Sequence, residues 1–516
     1  MTSSTSLWRY SIFNLLLLGL LGIWLWCQNQ PVSIIKPTLP DGGKLACVSY
    51  APYYGKDQSP FIKGIIVSRS QIESDLKLLS ARFGCVRTYS VAQGLDYVPE
   101  AAEKLGMKVY LGAWIGWTKR DNDLEVGRAI TLANQYPETI KAVIVGNEVL
   151  LRREQSEKTL KVYIDQVKAA TKVPVTYADV WEFWLKHKNL EKSVDFVTVH
   201  ILPYWENDPQ SIEHALSHAE TVMATLKGAF SKSILIGETG WPSIGRQRGE
   251  AVPSLVNQAR YMREFLVLAE ANHWKYNVIE AIDQPWKRLL EGTVGGYWGL
   301  YDTDLQPKFD FKGNVSERND STSLLYAAVL GLATLVAIAL WVGERRVSAI
   351  AAHSVLGALI GVSLLLQVEY LAAAARTIFE WAVLGFMTTA TTITLMCLPA
   401  LLRPQSGDSA KAAVNVGLFI TSLGALVTGL LMVLDGRYRD FPLAIYMLPI
   451  LQLSIGTWVA GKPLQARSNF YFWSNILAAV SALIFLAVEP KNLHAVIWIL
   501  LIALLTCASW PKRQQG

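Results

Sequence analysis

Beyond residue 320 the chain carries seven apolar runs, at 323–343, 349–371, 378–402, 412–434, 441–461, 470–488 and 493–510. Runs of about 18–25 apolar residues are what a helix needs to cross a hydrocarbon layer. Lipid offers no partner for free backbone groups, so a stretch of this kind predicts a bundle of helices. An eighth run, Ser11–Trp26, lies near the N-terminus. No small-x-small cleavage site follows it, and Trp24 and Trp26 close it as interface residues do. It reads as an uncleaved anchor over 1–27 rather than a signal peptide. The tail, 321–516, reads as a seven-span helical domain.

Charge supports this division. Residues 28–320 contain 35 Lys+Arg and 35 Asp+Glu, so the net charge of +6 belongs to the apolar parts. A neutral central domain lacks the basic face that nucleic acid requires. Around the apolar runs, Arg9, Arg345, Arg346, Arg403, Lys411, Lys462, Arg467, Lys512 and Arg513 fall on one side, and Arg376, Arg437, Arg439 and Lys491 on the other. The richer side is expected in the cytoplasm. Both termini are then cytoplasmic and residues 28–320 lie outside. Glu369, Glu380, Asp435 and Glu489 fall near the ends of runs, and only Gln452, Asn475 and His353 lie deeper. That pattern suits an anchor or docking module better than a transporter, which places ionisable groups at mid-membrane.

Between 44 and 311 one rhythm repeats: a short apolar run, a polar or aromatic cluster, then a helical stretch. The runs are Leu45–Tyr50, Cys85–Tyr89, Lys108–Trp114, Ala142–Asn147, Val173–Asp179, Phe196–His200, Ile234–Glu238 and Val278–Asp283. Near-continuous apolar runs alternating with helices predict parallel strands buried on both faces. Eight such units predict an α/β (β/α)₈ TIM barrel over 28–320. A doubly wound sheet would carry a Gly-rich phosphate loop after its first strand, where this chain has Tyr50-Ala-Pro-Tyr-Tyr-Gly. Cys47 and Cys85 fall on neighbouring strands, where bonded geometry is strained, and are expected as buried free thiols.

A barrel concentrates its chemistry at the C-terminal ends of its strands. Those positions hold Tyr50, Arg87, Tyr89, Trp114, Asn147, Glu148, His200, Tyr204, Trp205, Glu238, Trp241, Asp283, Trp286 and Lys287. Glu148 and Glu238 each follow an apolar run and a glycine, on nearly opposite strands. Paired carboxylates across a cleft are what glycosidic cleavage needs. The surrounding Trp and Tyr offer flat apolar faces to sugar rings and polar tips to hydroxyls. His200 has no second His or Cys nearby in sequence, so neither a metal nor a cofactor is expected. Trp181 and Trp184, at i and i+3, are equally compatible with core and with a sugar subsite.

These blocks resemble glycoside hydrolase family 17, the β-1,3-glucanase family. The resemblance rests on Val86-Arg-Thr-Tyr89, Val145-Gly-Asn-Glu148-Val and Gly237-Glu238-Thr-Gly-Trp-Pro-Ser243. It extends to Glu280-Ala-Ile-Asp-Gln-Pro-Trp-Lys287 and Gly295-Gly-Tyr-Trp-Gly-Leu300. It covers about residues 44–311. The layout of anchor, outside barrel and multi-span tail resembles bacterial membrane-bound members, some named β-(1→6)-glucan synthases. The resemblance implies an inner-membrane protein whose catalytic domain is periplasmic and which needs no cofactor. One departure is Gln284, where plant members usually carry Glu.

The resemblance also implies retaining chemistry. Glu148 is the general acid and later the base, which requires a raised pKa. Glu238 is the nucleophile, held by Tyr204, and Asn147 holds the sugar 2-hydroxyl. The other named residues bind substrate, a β-glucan. Transfer to a second glucan, giving β-1,3/β-1,6 remodelling, is expected over plain hydrolysis, and a non-catalytic glucan-binding scaffold is the weaker rival. Membrane lipid is an expected partner, as is a glucan synthase in the same membrane.

Overall fold

The computed structural model describes residues 4–38, 43–401, 408–464 and 469–510. Arg403, Arg467, Lys512 and Arg513, four of the charges used for orientation, lie outside the described residues. The chain divides into two units. One comprises Ser33–Ile244 and Ala251–Val315; the other comprises Met1–Val32, Gly245–Glu250 and Ser316–Gly516.

The first unit is built on eight parallel strands in sequence order. They are β1 (Val48–Ser49), β2 (Cys85–Arg87), β3 (Lys108–Ala113), β4 (Ile140–Asn147), β5 (Val175–Val180), β6 (Val197–His200), β7 (Ile234–Glu238) and β8 (Lys275–Tyr276). A parallel bridge between Val48 and Val278 links β1 to the segment after β8. The sheet is therefore curled and TIM-like, with helices in the crossovers.

Why the runs are apolar on both faces is visible in the packing. Val86, Val109, Val143, Val175, Val197 and Ile236 join the large core shared with the helices. The alternate positions Cys85, Tyr110, Ala142, Ile144, Ala178 and Leu235 form a second, smaller cluster. Each crossover helix contributes one apolar stripe: Arg69–Ser80 buries Ile72, Leu76 and Leu79, and Glu157–Ala170 buries Leu160, Ile164 and Val167. Ser68, Ser156 and Ser254 cap three of these helices by accepting from a backbone N–H three residues on.

Two expectations are corrected here. The eighth strand is Lys275–Tyr276, not Val278–Asp283. The later segment changes partners at nearly every residue: Asn277 N–H donates to Ile236, Val278 to Cys47, Ile279 to Thr239, Glu280 to Trp298 and Ala281 to Ser49. No single ladder forms, although the run is as apolar as a strand. Cys47 and Cys85 are joined in a disulfide, not free. The pairing of Val48 with Val86 sets the two cysteines side by side, with Cα atoms 4.3 Å apart, which is within bridging reach.

The second unit is helical. Among the described residues six helices are long and apolar enough to cross a membrane: Thr5–Gln28, Ser321–Trp341, Val347–Ala374, Ile378–Leu401, Asp408–Asp435 and Asn469–Val488. The fifth and seventh tail runs form the shorter apolar helices Leu443–Val459 and Leu493–Ala508. The first of these contains a π-helical turn, Gln452–Gly456. Gly331, Gly357 and Gly361 let Ser321–Trp341 and Val347–Ala374 touch backbone to backbone, since a Cβ on any of them would overlap the facing main chain.

The N-terminal helix is tied to this unit by a buried polar trio. Tyr10 Oη donates to Gln452 Oε1 at 2.7 Å, and Gln452 Nε2 donates to Asn14 Oδ1 at 2.7 Å. The four acids near helix ends are each paired: Glu369 with Arg318 (2.8 Å), Glu380 with Arg376 (2.7 Å), Asp435 with Arg439 (2.9 Å) and Glu489 with Arg246 (2.7 Å).

Candidate active site

Two strand ends present the carboxylates. β4 ends at Asn147, and Glu148 follows in a left-handed conformation with φ +54°. Non-glycine residues hold that conformation only where their surroundings fix it. Gly146 allows the approach to this turn, because its φ is +86° and a Cβ there would lie 2.7 Å from Val149 Cγ2. The Glu148 N–H donates to Ala178 O on β5 at 2.8 Å. Glu238 is the last residue of β7 and is buried.

The two glutamates converge on His200, at the end of β6. Its Nδ1 lies 3.0 Å from Glu148 Oε1 and its Nε2 lies 3.6 Å from Glu238 Oε1. The ligand atoms of the three residues all lie within 4.8 Å of one another. That cluster could attract a metal, yet the geometry is unsuited to one. The imidazole turns a different nitrogen to each carboxylate, and one ion can take only one of them. The Arg87 guanidinium, 3.0 Å from Glu238 Oε1 and 3.4 Å from His200 Nε2, already supplies the positive charge.

Arg87 organises this floor. It is 1% exposed, and its NH1 also donates to Gly237 O at 2.7 Å. Its NH2 donates to Asn147 Oδ1, which leaves the Asn147 amide N–H groups, donors only, available to another acceptor. Tyr89 Oη donates to Glu238 Oε1 at 2.8 Å. Glu238 is thus gripped by a guanidinium and a phenol. Tyr204 is fully buried, with its ring against Trp205, Trp241 and Trp298.

The remaining expected residues divide. Trp114, Trp205, Trp286 and Lys287 are partly accessible. Arg152 stacks on the Trp114 ring at 4.4 Å and reaches Glu148 Oε2 at 3.9 Å. Trp286 meets the exposed Phe61 edge to face at 5.5 Å, an aromatic pair that strand-end reasoning missed because Phe61 lies in a long connection. Tyr50 and Trp241 are fully buried. Tyr50 donates to Asp75, and the Trp241 indole donates to Val252 O. Both wall the site from behind and offer no face to a sugar. Asp283 is likewise buried, accepting from Lys308 Nζ at 2.6 Å and Gly299 N at 2.8 Å. Burial pushes its carboxyl up to about 6 against the pull of Lys308. Trp184 is core, its indole donating to Thr198 O, whereas Trp181 donates to Glu206.

Lys287 has an acidic partner that single-position reading overlooked. Its Nζ bonds both oxygens of the buried Glu280, at 2.9 and 2.8 Å. Burial raises the Glu280 carboxyl to about 7 although Lys287 pulls the other way, and burial does the same for nearby Glu291. Glu280 opens the sequence block that ends at Lys287, and the spacing of seven was the available signal. Gln284 is fully committed, with Nε2 donating to Ala51 O (2.7 Å) and Ile282 O (3.1 Å) and Oε1 accepting from Trp286 (2.8 Å). An ionised Glu there has no N–H to give those carbonyls.

One electrostatic expectation is reversed. Burial pushes the Glu148 carboxyl up, but the His200 hydrogen bond and the electrostatic pull of His200, Arg152 and Arg87 outweigh it. In the free site the carboxyl is held below its ordinary value rather than above.

Residues 47–299 match the BtgE/BtgC glycoside hydrolase domain. The chain is 29% identical over 269 residues to a glucan 1,3-β-glucosidase of Candida albicans, covering 46% of this chain and 85% of that protein. It is 26% identical over 275 residues to the glucan 1,3-β-glucosidase of Saccharomyces cerevisiae, covering 48% and 86%. A mutant β-1,3-glucanosyltransferase of Rhizomucor miehei, solved in complex with laminaritriose, aligns at 25% identity with a TM-score of 0.46, over 52% of this chain and 98% of that one. With both motif glutamates at strand ends of a curled parallel sheet, the segment 47–299 is similar to a family 17-like glycoside hydrolase domain.

Proposed function

We propose that the chain is a membrane-anchored retaining enzyme that cleaves β-1,3-glucan and transfers the glycosyl unit to another glucan. The observation that carries this is the Glu148–Glu238 pair, with carboxylate oxygens within 4.8 Å. Retaining enzymes hold their carboxyls about 5–5.5 Å apart, whereas inverting ones leave roughly 6.5–9.5 Å for a water.

Glu238, gripped by Arg87 and Tyr89, attacks the anomeric carbon while Glu148 protonates the leaving oxygen. A glycosyl–Glu238 ester forms and the aglycone chain departs. Glu148, now ionised, takes the proton of the acceptor hydroxyl, which attacks the same carbon and frees Glu238. Asn147, with its Oδ1 on Arg87, offers its N–H groups to the sugar 2-hydroxyl, a contact that strengthens in the transition state. Glu148 needs its proton at the first step. Substrate binding supplies part of that requirement by removing water from a carboxyl that burial already pushes up.

Acceptor choice separates a transferase from a plain β-1,3-glucanase. The partly accessible rings of Trp205 and Trp286, with Phe61, give a sugar acceptor flat faces on which to compete with water. Purified full-length protein in detergent, given short β-1,3-glucan oligosaccharides at millimolar concentration, should yield a β-anomer first and then products longer than the substrate. An initial α-anomer rejects retention. Products never longer than the substrate leave a hydrolase.

The helices are proposed to cross a bacterial inner membrane, with the hydrolase domain in the periplasm. The Cys47–Cys85 disulfide suits an oxidising compartment. The Tyr10–Gln452–Asn14 trio suits an N-terminal helix that stays with the chain. A periplasm-active reporter fused after residue 320 should be active, and one fused at residue 516 silent; an active C-terminal fusion rejects this topology.

A further inference from the structure

We infer that Arg152, braced on the Trp114 ring, is a positioning residue that readies Glu148 for the second half of the reaction, in which it takes the acceptor's proton. This rests on the reading of Glu148 as acid and base.

The geometry begins in the turn after β4. The Arg152 N–H donates to Glu148 O at 2.9 Å, so the two residues stand one turn apart on the same side. The guanidinium is fixed from three directions. It lies over the Trp114 ring at 4.4 Å, its NH2 donates to Glu154 Oε2 at 2.8 Å, and its NH1 turns to Glu148 Oε2 at 3.9 Å. The braces are themselves anchored. Trp114 N–H donates to the buried Glu125 carboxylate at 3.1 Å, and Glu154 N–H donates to Val149 O at 3.0 Å.

The two oxygens of Glu148 have different neighbours. Oε1 lies 3.0 Å from His200 Nδ1. Oε2 faces Arg152 at 3.9 Å, beyond hydrogen-bond reach. Arg152 therefore favours the carboxylate through its charge alone and leaves Oε2 open to exchange a proton with a sugar oxygen. An arginine keeps its charge at every stage of the cycle. Glu148 also faces His200 from β6, Arg87 from β2, Glu238 from β7 across His200, Tyr177 and Asp179 from β5, and Glu291 from the helix Arg288–Glu291. The Arg87 charge is shared with Glu238 at 3.0 Å, whereas the counter-charge of Arg152 is Glu154, so its pull does not pass through the nucleophile. In keeping with this, burial raises the Glu148 carboxyl, and His200, then Arg152, then Arg87 draw it below its ordinary value.

The sign follows. Arg152→Gln removes the charge, so Glu148 should hold its proton to higher pH. For a pair 3.9 Å apart and partly open to water, a rise of about half a pH unit is expected. The two half-reactions should then respond in opposite ways in the full-length protein in detergent. Above the alkaline limb of kcat/KM on β-1,3-glucan oligosaccharides, cleavage waits for protonated Glu148, and the variant should be about threefold faster. Below the acidic limb of kcat on an aryl glucoside with an excellent leaving group, breakdown of the glycosyl ester waits for ionised Glu148, and the variant should be about threefold slower. The partition between transfer and hydrolysis should not change, because both acceptors give their proton to the same carboxylate. Arg152→Lys keeps the charge and should restore both limbs. Limbs unmoved in Arg152→Gln, or a slower reaction on both substrates at every pH, overturn the inference and leave Arg152 merely structural. A changed partition with unmoved limbs also overturns it and makes Arg152 a binder of the acceptor. If Arg152→Gln gives no folded protein, Glu154→Gln, which strips the counter-charge, should move both limbs down, and limbs that stay in place overturn the inference. Glu148→Gln is the control on the underlying reading: if it keeps both the alkaline limb and the glucan rate, Glu148 is not the acid, and that reading fails instead.

Discussion

Glu238→Gln should lower turnover on every substrate by about 10⁴-fold or more, whatever the leaving group. The amide has the size of the carboxylate and keeps an oxygen for Tyr89 Oη, so the fold should survive. What it lacks is a charge to form the glycosyl ester, and no other carboxylate stands in its place. Glu280, another buried carboxyl that interacts with Glu238, is bonded through both oxygens to Lys287. Glu148→Gln should behave differently. General acid assistance contributes about 10²–10⁴-fold, so cleavage of natural glucan falls by that much. Formation of the glycosyl ester from an activated aryl glucoside should proceed nearly unchanged, and its breakdown should then be slow and partly rescued by azide. Burst kinetics on an activated substrate read both variants. Equal, mild losses for the two would mean that neither glutamate is catalytic and that the domain only binds glucan.

The placement of both glutamates at strand ends was legible in the sequence, and physical reasons explain which other features were not. Seven of the eight strands sit on their apolar runs because each is buried on both faces and so is built mostly of apolar residues, with charge confined to a few positions, several of them at strand ends. The eighth run fails because apolarity reports burial, not hydrogen-bond partner, and residues 277–281 pair with β7, with β1 and with Trp298 in turn. The same limitation applies to aromatic residues. Trp241 and Trp286 both follow strand ends, but one is sealed against Tyr204 and Tyr261 and the other stands at the rim beside Phe61. Nothing within a single strand distinguishes them.

The disulfide was misjudged from a general rule about strained pairs, since register decides the outcome and register is not readable one strand at a time. Ionisation is the least local property of all. The state of Glu148 depends on His200, Arg152 and Arg87, which come from three different places in the chain. The sequence marks each as a polar residue after an apolar run and carries no sign of their sum.

Arg87→Met should be the most damaging change outside the two glutamates, and its cause can be isolated. The guanidinium is buried, lies 3.0 Å from Glu238 and spans Gly237 O and Asn147 Oδ1. Removing one member of a buried ion pair strands the other charge and costs about 3–5 kcal/mol. For a domain of this size that corresponds to a fall in melting temperature of roughly 10 °C. Activity should be lost as well, because Asn147 and the nucleophile lose a common anchor. The cycle with Glu238→Gln separates the stranded charge from lost packing. If the stranded charge dominates, the double variant Arg87→Met/Glu238→Gln should be more stable than Arg87→Met alone by about 2 kcal/mol or more, a large coupling for neighbours in contact. Strict additivity in thermal or denaturant unfolding would show that Arg87 serves mainly as packing and as a tie to Gly237 and Asn147. The role of holding an ionised nucleophile would then fall to Tyr89. Arg87→Lys refines the answer, since it keeps the charge and loses the fork: stability near that of the parent with activity still low would assign the charge to folding and the fork to aiming Asn147 at the sugar.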